Sequence, residues 1–183
     1  MIRERNLLSV VFTVLLVWTF CCLTCRTGMA APRGFWVDSR HGNDTAAGTS
    51  PEQAWRTLDR LMRCELKPGD VVSFARGSRF DGCLEIHVSG TAAAPIRFTS
   101  YGRKKLPAPV FTNSDTTGFG NCILLAGNYL HVEHLAFAHT LAKIPQLPRI
   151  GSFVDMWQLG AVRLDSASQH CVVRGFELTD CGV

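Results

Sequence analysis

Between residues 50 and 66 apolar side chains recur at helical spacing: Ala54, Trp55, Leu58, Leu61, Met62 and Leu66 form one stripe. Glu52, Arg56, Asp59, Arg60 and Arg63 fall mainly on the other side. Ser50 stands where an N-cap belongs, Pro51 suits the first helical position, and Gln53 occupies the capping-box position. Pro68-Gly69 ends the stretch and opens a turn. The spacing predicts one amphipathic helix over residues 50–66. Downstream, strand follows strand with no second helix of that quality. A lone amphipathic helix ahead of a run of strands has an apolar surface to cover. It is expected to plug the open end of a β-solenoid, the plainer alternative being a helix laid on an ordinary sheet.

The strands repeat. Cys83-Leu84-Glu85-Ile86 recurs as Cys122-Ile123-Leu124-Leu125 and as Ala161-Val162-Arg163-Leu164, at a spacing of about 39 residues. A second strand follows in each unit: Ile96-Arg97-Phe98, Leu130-His131-Val132, Cys171-Val172-Val173. A third closes it: Pro109-Val110-Phe111, Leu135-Ala136-Phe137, Phe176-Glu177-Leu178. Three short strands per unit, apolar side inward, predict a triangular coil whose turns must stack, since one turn cannot bury its inner face alone. Gly127-Asn128 and residues 166–169 read as corner turns. Residues 141–159 read as an excursion from the coil, either a binding loop or a flank cover.

The expected class is therefore all-β, a parallel β-helix with an N-terminal capping α-helix. Residues 1–30 are expected to be a signal peptide: Arg3 and Arg5 precede an apolar run over residues 7–23, and Gly28-Met29-Ala30 suits cleavage after Ala30. An uncleaved anchor is the alternative. Residues 31–82 form the N-terminal cap (strand, loop, helix over 50–66, strand). Residues 83–183 form about three turns. The chain ends in mid-coil at Val183, and a fragment of a longer protein is expected.

Net charge changes the picture little. At +4 over 183 residues, with no RNA-binding or zinc-finger pattern, it gives no reason to expect nucleic acid. After leader removal no membrane segment is expected, and the protein is placed as secreted, periplasmic or at the cell surface. Three of the eight cysteines lie in the leader. The remaining Cys64, Cys83, Cys122, Cys171 and Cys181 are too scattered for a disulfide framework or a zinc site and read mostly as core residues. An oxidising compartment leaves room for one disulfide.

The segments FWVDSRHGNDTAAGTSPEQAWRTLDRL, LKPGDVVSFARG and LEIHVSGTAAAPIRFTSYG, at residues 35–61, 66–77 and 84–102, resemble those of right-handed parallel β-helix proteins of the pectate-lyase-like superfamily. The resemblance covers nearly all of the chain after the leader. It implies a helix capping the N-terminal end of a right-handed solenoid, and a carbohydrate-active, polysaccharide lyase-like protein acting on an acidic polysaccharide, with Ca²⁺ as the ion. It further implies that catalytic residues lie on later turns. A non-catalytic binding solenoid and an inactive fragment are the alternatives.

Candidate chemistry follows from the stacking, since turns roughly 4.8 Å apart bring equivalent residues side by side. Glu133 is expected beside Arg174, His139 beside Asp180, and Glu85, Leu124 and Arg163 in one column. Chemistry on a uronate needs a cation for the carboxylate and a base for the C5 proton. Arg163, Asp165, His170 and Arg174 are the candidates, against the plainer reading of a solvated ion-pair face. A hydrolase wants paired carboxylates, and Asp165 and Asp180 fall on different strands. Asp38, Asn43 and Asp44 lack EF-hand spacing and read as a turn. His87, His131 and His134 lack metalloprotease spacing, and no cofactor motif is present.

Overall fold

The computed structural model describes residues 31–114, 121–138 and 161–179. All the elements below lie within the compact unit Pro32–Val183. The expected leader, the excursion at 141–159, the His139–Asp180 pair and Cys181 lie outside the described residues.

The described residues form twelve short strands: β1 (Gly34–Val37), β2 (Val71–Ala75), β3 (Arg79–Asp81), β4 (Leu84–Ile86), β5 (Ile96–Tyr101), β6 (Val110–Thr112), β7 (Ile123–Leu125), β8 (Leu130–Glu133), β9 (Ala136–Ala138), β10 (Val162–Leu164), β11 (Val172–Arg174) and β12 (Glu177–Thr179). They form three sheets: A, ordered β1-β2-β5-β8-β11; B, ordered β3-β6-β9-β12; and C, ordered β4-β7-β10. Every ladder between these strands is parallel. From β2 onward the chain visits A, B and C in turn, and each strand pairs with the one three later. Mostly β structure with all-parallel sheets is the pattern of a β-helix.

The register agrees with the repeat. Leu84 and Val162 both stand opposite Ile123. Val132 lies between Phe98 and Val173, and Phe137 between Phe111 and Leu178. The stack begins earlier than the repeat suggests, because β3 pairs with β6. Alternation sends one set of side chains inward: Leu84 and Ile86 are buried while Glu85 between them is exposed. Phe80 stacks on Phe111 at 5.2 Å, Phe111 meets Phe137 at 6.0 Å, and Phe74 packs edge-on against both Phe80 and Phe111. This column is the centre of the core. Beyond it Leu164, Phe176 and Leu178 are exposed. With Phe137, Val162 and Val173 they line an apolar groove of about 300 Å³.

The single helix over residues 50–66 does not form. A 3-10 turn spans Pro51–Gln53 and a separate helix, α1, spans Leu58–Met62. Between them Trp55 is extended: its N–H donates to the Trp36 carbonyl at 2.9 Å and its carbonyl accepts from Asp38 N–H at 2.8 Å. Trp55 thus continues the sheet beside β1, its buried indole stacked on Phe35 at 5.3 Å. Ser50 makes no capping bond, and the N-cap is Thr57, whose hydroxyl accepts from Arg60 N–H at 3.1 Å. The apolar stripe has helical spacing by coincidence of a strand residue and a short helix. Leu58 and Leu61 join the core, whereas Met62 is exposed.

Two turns flanking sheet A carry left-handed backbone. Tyr129 (φ 54°) and His170 (φ 56°) precede β8 and β11, and their rings stack at 4.6 Å. His134 (φ 58°) and Gly175 (φ 61°) follow the same strands. A Cβ on Gly175 would come within 2.7 Å of the His134 ring, so this position requires glycine twice over.

Candidate functional site

The outward face of sheet A is where chemistry-bearing residues gather. Alternation puts Leu130 and Val132 of β8 inward and His131 and Glu133 outward. Register then sets Arg97 of β5 beside His131, and Arg174 of β11 beside Glu133. Nη2 of Arg174 lies 2.7 Å from Oε1 of Glu133, an ion pair whose angle is not that of a hydrogen bond. Glu133 is only 8% exposed although it points outward. Nδ1 of His131 lies 3.9 Å from the same oxygen, buried and without a hydrogen-bond partner. A carboxylate behind one ring nitrogen orients an imidazole as a base once the two come within hydrogen-bond distance. Ion-pair and base distances often tighten only when substrate is bound.

The same face extends toward β1. Trp36 stands opposite Ser73, and Ser73 opposite Thr99. The Trp36 indole folds over Gly34, where a Cβ would meet its Cη2 at 2.5 Å. From β1 to β11 the face therefore carries an aromatic ring, two hydroxyls and then the charged group, over four strand spacings of roughly 4.8 Å each.

The four sequence candidates fall in different places. Arg174 is part of the group just described. Arg163 lies on β10 in sheet C, opposite Leu124, which is in turn opposite Glu85, as the column predicts. Asp165 organises the turn after β10: its carboxylate accepts from Ser166 N–H at 2.8 Å and its carbonyl from Ser168 N–H at 3.0 Å. His170 is the corner residue stacked on Tyr129. Two of the four thus sit in or beside sheet C and one at a corner. The sequence signal for His131 is its two-residue spacing from Glu133, which puts both on one side of a strand.

The acidic residues of the N-terminal loop are used internally. Asp38 accepts from the N–H groups of Arg40 and His41 and from the Ser78 hydroxyl, and faces the His41 ring. Asp44 accepts from Arg56 N–H, Thr57 N–H and the Thr57 hydroxyl. Burial by itself raises both carboxyls, but these donors prevail and hold them below the usual range. Oxygens so engaged do not suit calcium. Among the described residues no group of three or more His, Cys, Asp or Glu is arranged to hold a metal. On the described strands of sheet A, Glu133 is the sole outward carboxylate.

No family model matches the chain. Over 88 residues it is 36% identical to a lacto-N-biosidase of Bifidobacterium longum subsp. longum, a match covering 46% of this chain and 6% of that protein. Among solved structures it is similar to an alginate lyase from Paenibacillus sp. str. FPU-7, with TM-score 0.50 and 26% identity over 69% of this chain and 36% of that one. It is also similar to a GH136 lacto-N-biosidase from Eubacterium ramulus, with TM-score 0.49 and 26% identity over 58% of this chain and 20% of that one. The chain spans 6% of the length of the curated relative it matches.

Proposed function

We propose that this chain is the N-terminal scaffold of an exported right-handed β-helix protein acting on an acidic polysaccharide in the manner of a lyase. In this reading α1 and the 3-10 turn before it cover the open end of the first turn. The outward face of sheet A carries the glycan. The observation behind this is one largely buried carboxylate, Glu133, paired with Arg174 and 3.9 Å from His131, with Arg97 beside His131 on the next strand. Two guanidiniums and one carboxylate on the same face favour an anionic chain. Trp36 offers an apolar ring face for a sugar at the other end of the stripe.

The chemistry such a group can perform is β-elimination. Nε2 of His131 takes the C5 proton while Glu133 stabilises the ring cation through Nδ1. Arg174 and Arg97 neutralise the uronate carboxylate, so that negative charge builds up beside fixed positive charge. The C4–O bond breaks and a C4=C5 double bond forms, the departing oxygen taking a proton from water. Hydrolysis requires a second carboxylate across the glycosidic bond, which the described part of this face lacks. The likeness to an alginate lyase supports the lyase direction. A purely binding solenoid is the second reading, favoured by the single carboxylate.

The test uses the 183-residue chain with alginate, polygalacturonate and a neutral glucan. Affinity electrophoresis reads binding, and the ultraviolet absorbance of the unsaturated product reads elimination. Retardation by the acidic polymers alone, weakened by salt, is expected, with elimination lost in His131→Ala while binding holds within about twofold. Binding without elimination would leave the binding reading. Equal or no retardation by all three polymers would overturn both.

A further inference from the structure

Sheet C brings two cysteines together that the sequence keeps 39 residues apart. Leu84 of β4 stands opposite Ile123 of β7. The residues just before them, Cys83 and Cys122, therefore occupy equivalent positions on consecutive turns. The Leu84 N–H donates to the Cys122 carbonyl at 2.8 Å, which locks that register where the cysteines lie. Parallel neighbours sit roughly 4.8 Å apart, inside the Cα separation of about 4.4–6.8 Å that a disulfide spans. Cys122 is fully buried, and Cys83 is half-buried. The third residue of the column is Ala161, whose carbonyl accepts from Cys122 N–H at 2.9 Å. The pair is thus bounded on one side by a residue that cannot compete for it.

We propose that Cys83 and Cys122 form a disulfide that staples the first two strands of sheet C when the protein meets a disulfide oxidant. The half-buried Cys83 reacts first. Its thiolate attacks a small-molecule or protein disulfide, giving a mixed disulfide and releasing one thiol. The Cys122 thiolate then displaces the second thiol. Two cysteine thiols lose two electrons and two protons, and the oxidant's S–S bond takes them up as two thiols. Burial, and then the neighbouring Glu85, raise the Cys83 thiol above its ordinary range. The reaction is therefore expected to be slow near neutrality and faster under mildly alkaline conditions. This inference stands on the register of sheet C and is independent of any reading of sheet A.

The experiment incubates the 183-residue chain with oxidised and reduced glutathione at mildly alkaline pH, blocks free thiols, and maps peptides without reduction. A Cys83–Cys122 crosslink is expected, together with a melting temperature higher than under dithiothreitol by about 5 °C or more. Both should vanish in Cys83→Ser. That variant changes only the half-buried partner, so it folds even where Cys122→Ser does not. Recovery of Cys83 as a stable glutathione adduct, a link to another cysteine, or blocking of both thiols after unfolding with no crosslink would overturn the proposal.

Discussion

Arg174 stands directly opposite Glu133 across β8 and β11, with 2.7 Å between Nη2 and Oε1. The pair is lopsided: the arginine side chain is 64% exposed and the carboxylate side chain 10%. Solvent screens such a pair, so Arg174→Met should cost only about 1 kcal/mol of stability. Its effect on an anionic ligand should be larger, about tenfold or more in affinity, because the face loses one of two guanidiniums. Urea denaturation and glycan titration of the same variant separate the two effects. A stability loss without a binding loss would remove Arg174 from the site.

The aromatic column predicts where the fold is least tolerant. Phe111 touches Phe74, Phe80 and Phe137 and is fully buried. Phe111→Ala should cost about 3–5 kcal/mol, read from the denaturation midpoint.

Placing a charge in the inward column of sheet C should give a graded series. Leu84 and Ile123 are buried, and Val162 is only partly so. Leu84→Asp and Ile123→Asp should each cost about 4 kcal/mol or more and abolish cooperative unfolding, while Val162→Asp should cost about 1–2 kcal/mol. Circular dichroism melts order the three. Equal tolerance would contradict the inward assignment.

The broken helix makes a contrast between two caps. Thr57 caps α1 and its hydroxyl also donates to Asp44 at 2.8 Å, whereas Ser50 caps nothing. Thr57→Ala should cost about 1–2 kcal/mol and Ser50→Ala less than about 0.5 kcal/mol. A thermal melt of each variant decides.

Acid should loosen the N-terminal part first. Burial pushes the Asp70 carboxyl up, but hydrogen bonds from Arg33 and Lys67 N–H outweigh it and hold it below the usual carboxylate range. Asp38 and Asp44 are lowered as well. A carboxyl lowered on folding stabilises above its unfolded pKa, near 3.9, and that stability is lost as pH falls through the folded value. Urea midpoints should hold steady from pH 7 to about pH 5 and drop below about pH 4. Asp70→Asn should flatten the drop.

What could be read from the chain divides by period. Strand alternation is set by neighbours two apart and the stack by a 39-residue interval, so Leu84, Ile123 and Val162 could be aligned from residues alone. So could Glu133 with Arg174, because register carries outward positions along with inward ones. The predicted helix over residues 50–66 is broken because Trp55 satisfies a helical spacing while its backbone bonds go to β1, a tertiary demand invisible in a local window. The scatter of Arg163, Asp165 and His170 has the same origin. Their nearness in sequence hides that β10 belongs to sheet C and β11 to sheet A, with a corner between.

Hydrogen exchange of the 183-residue chain, with and without an acidic oligosaccharide, tests the central claim most directly. The claim is that the outward face of sheet A is the glycan surface. Protection is predicted at residues 97–99, 131–133 and 172–174, with none at 84–86, 123–125 and 162–164 of sheet C. Protection confined to sheet C, or unchanged exchange on sheet A under conditions where binding is measured, would contradict it.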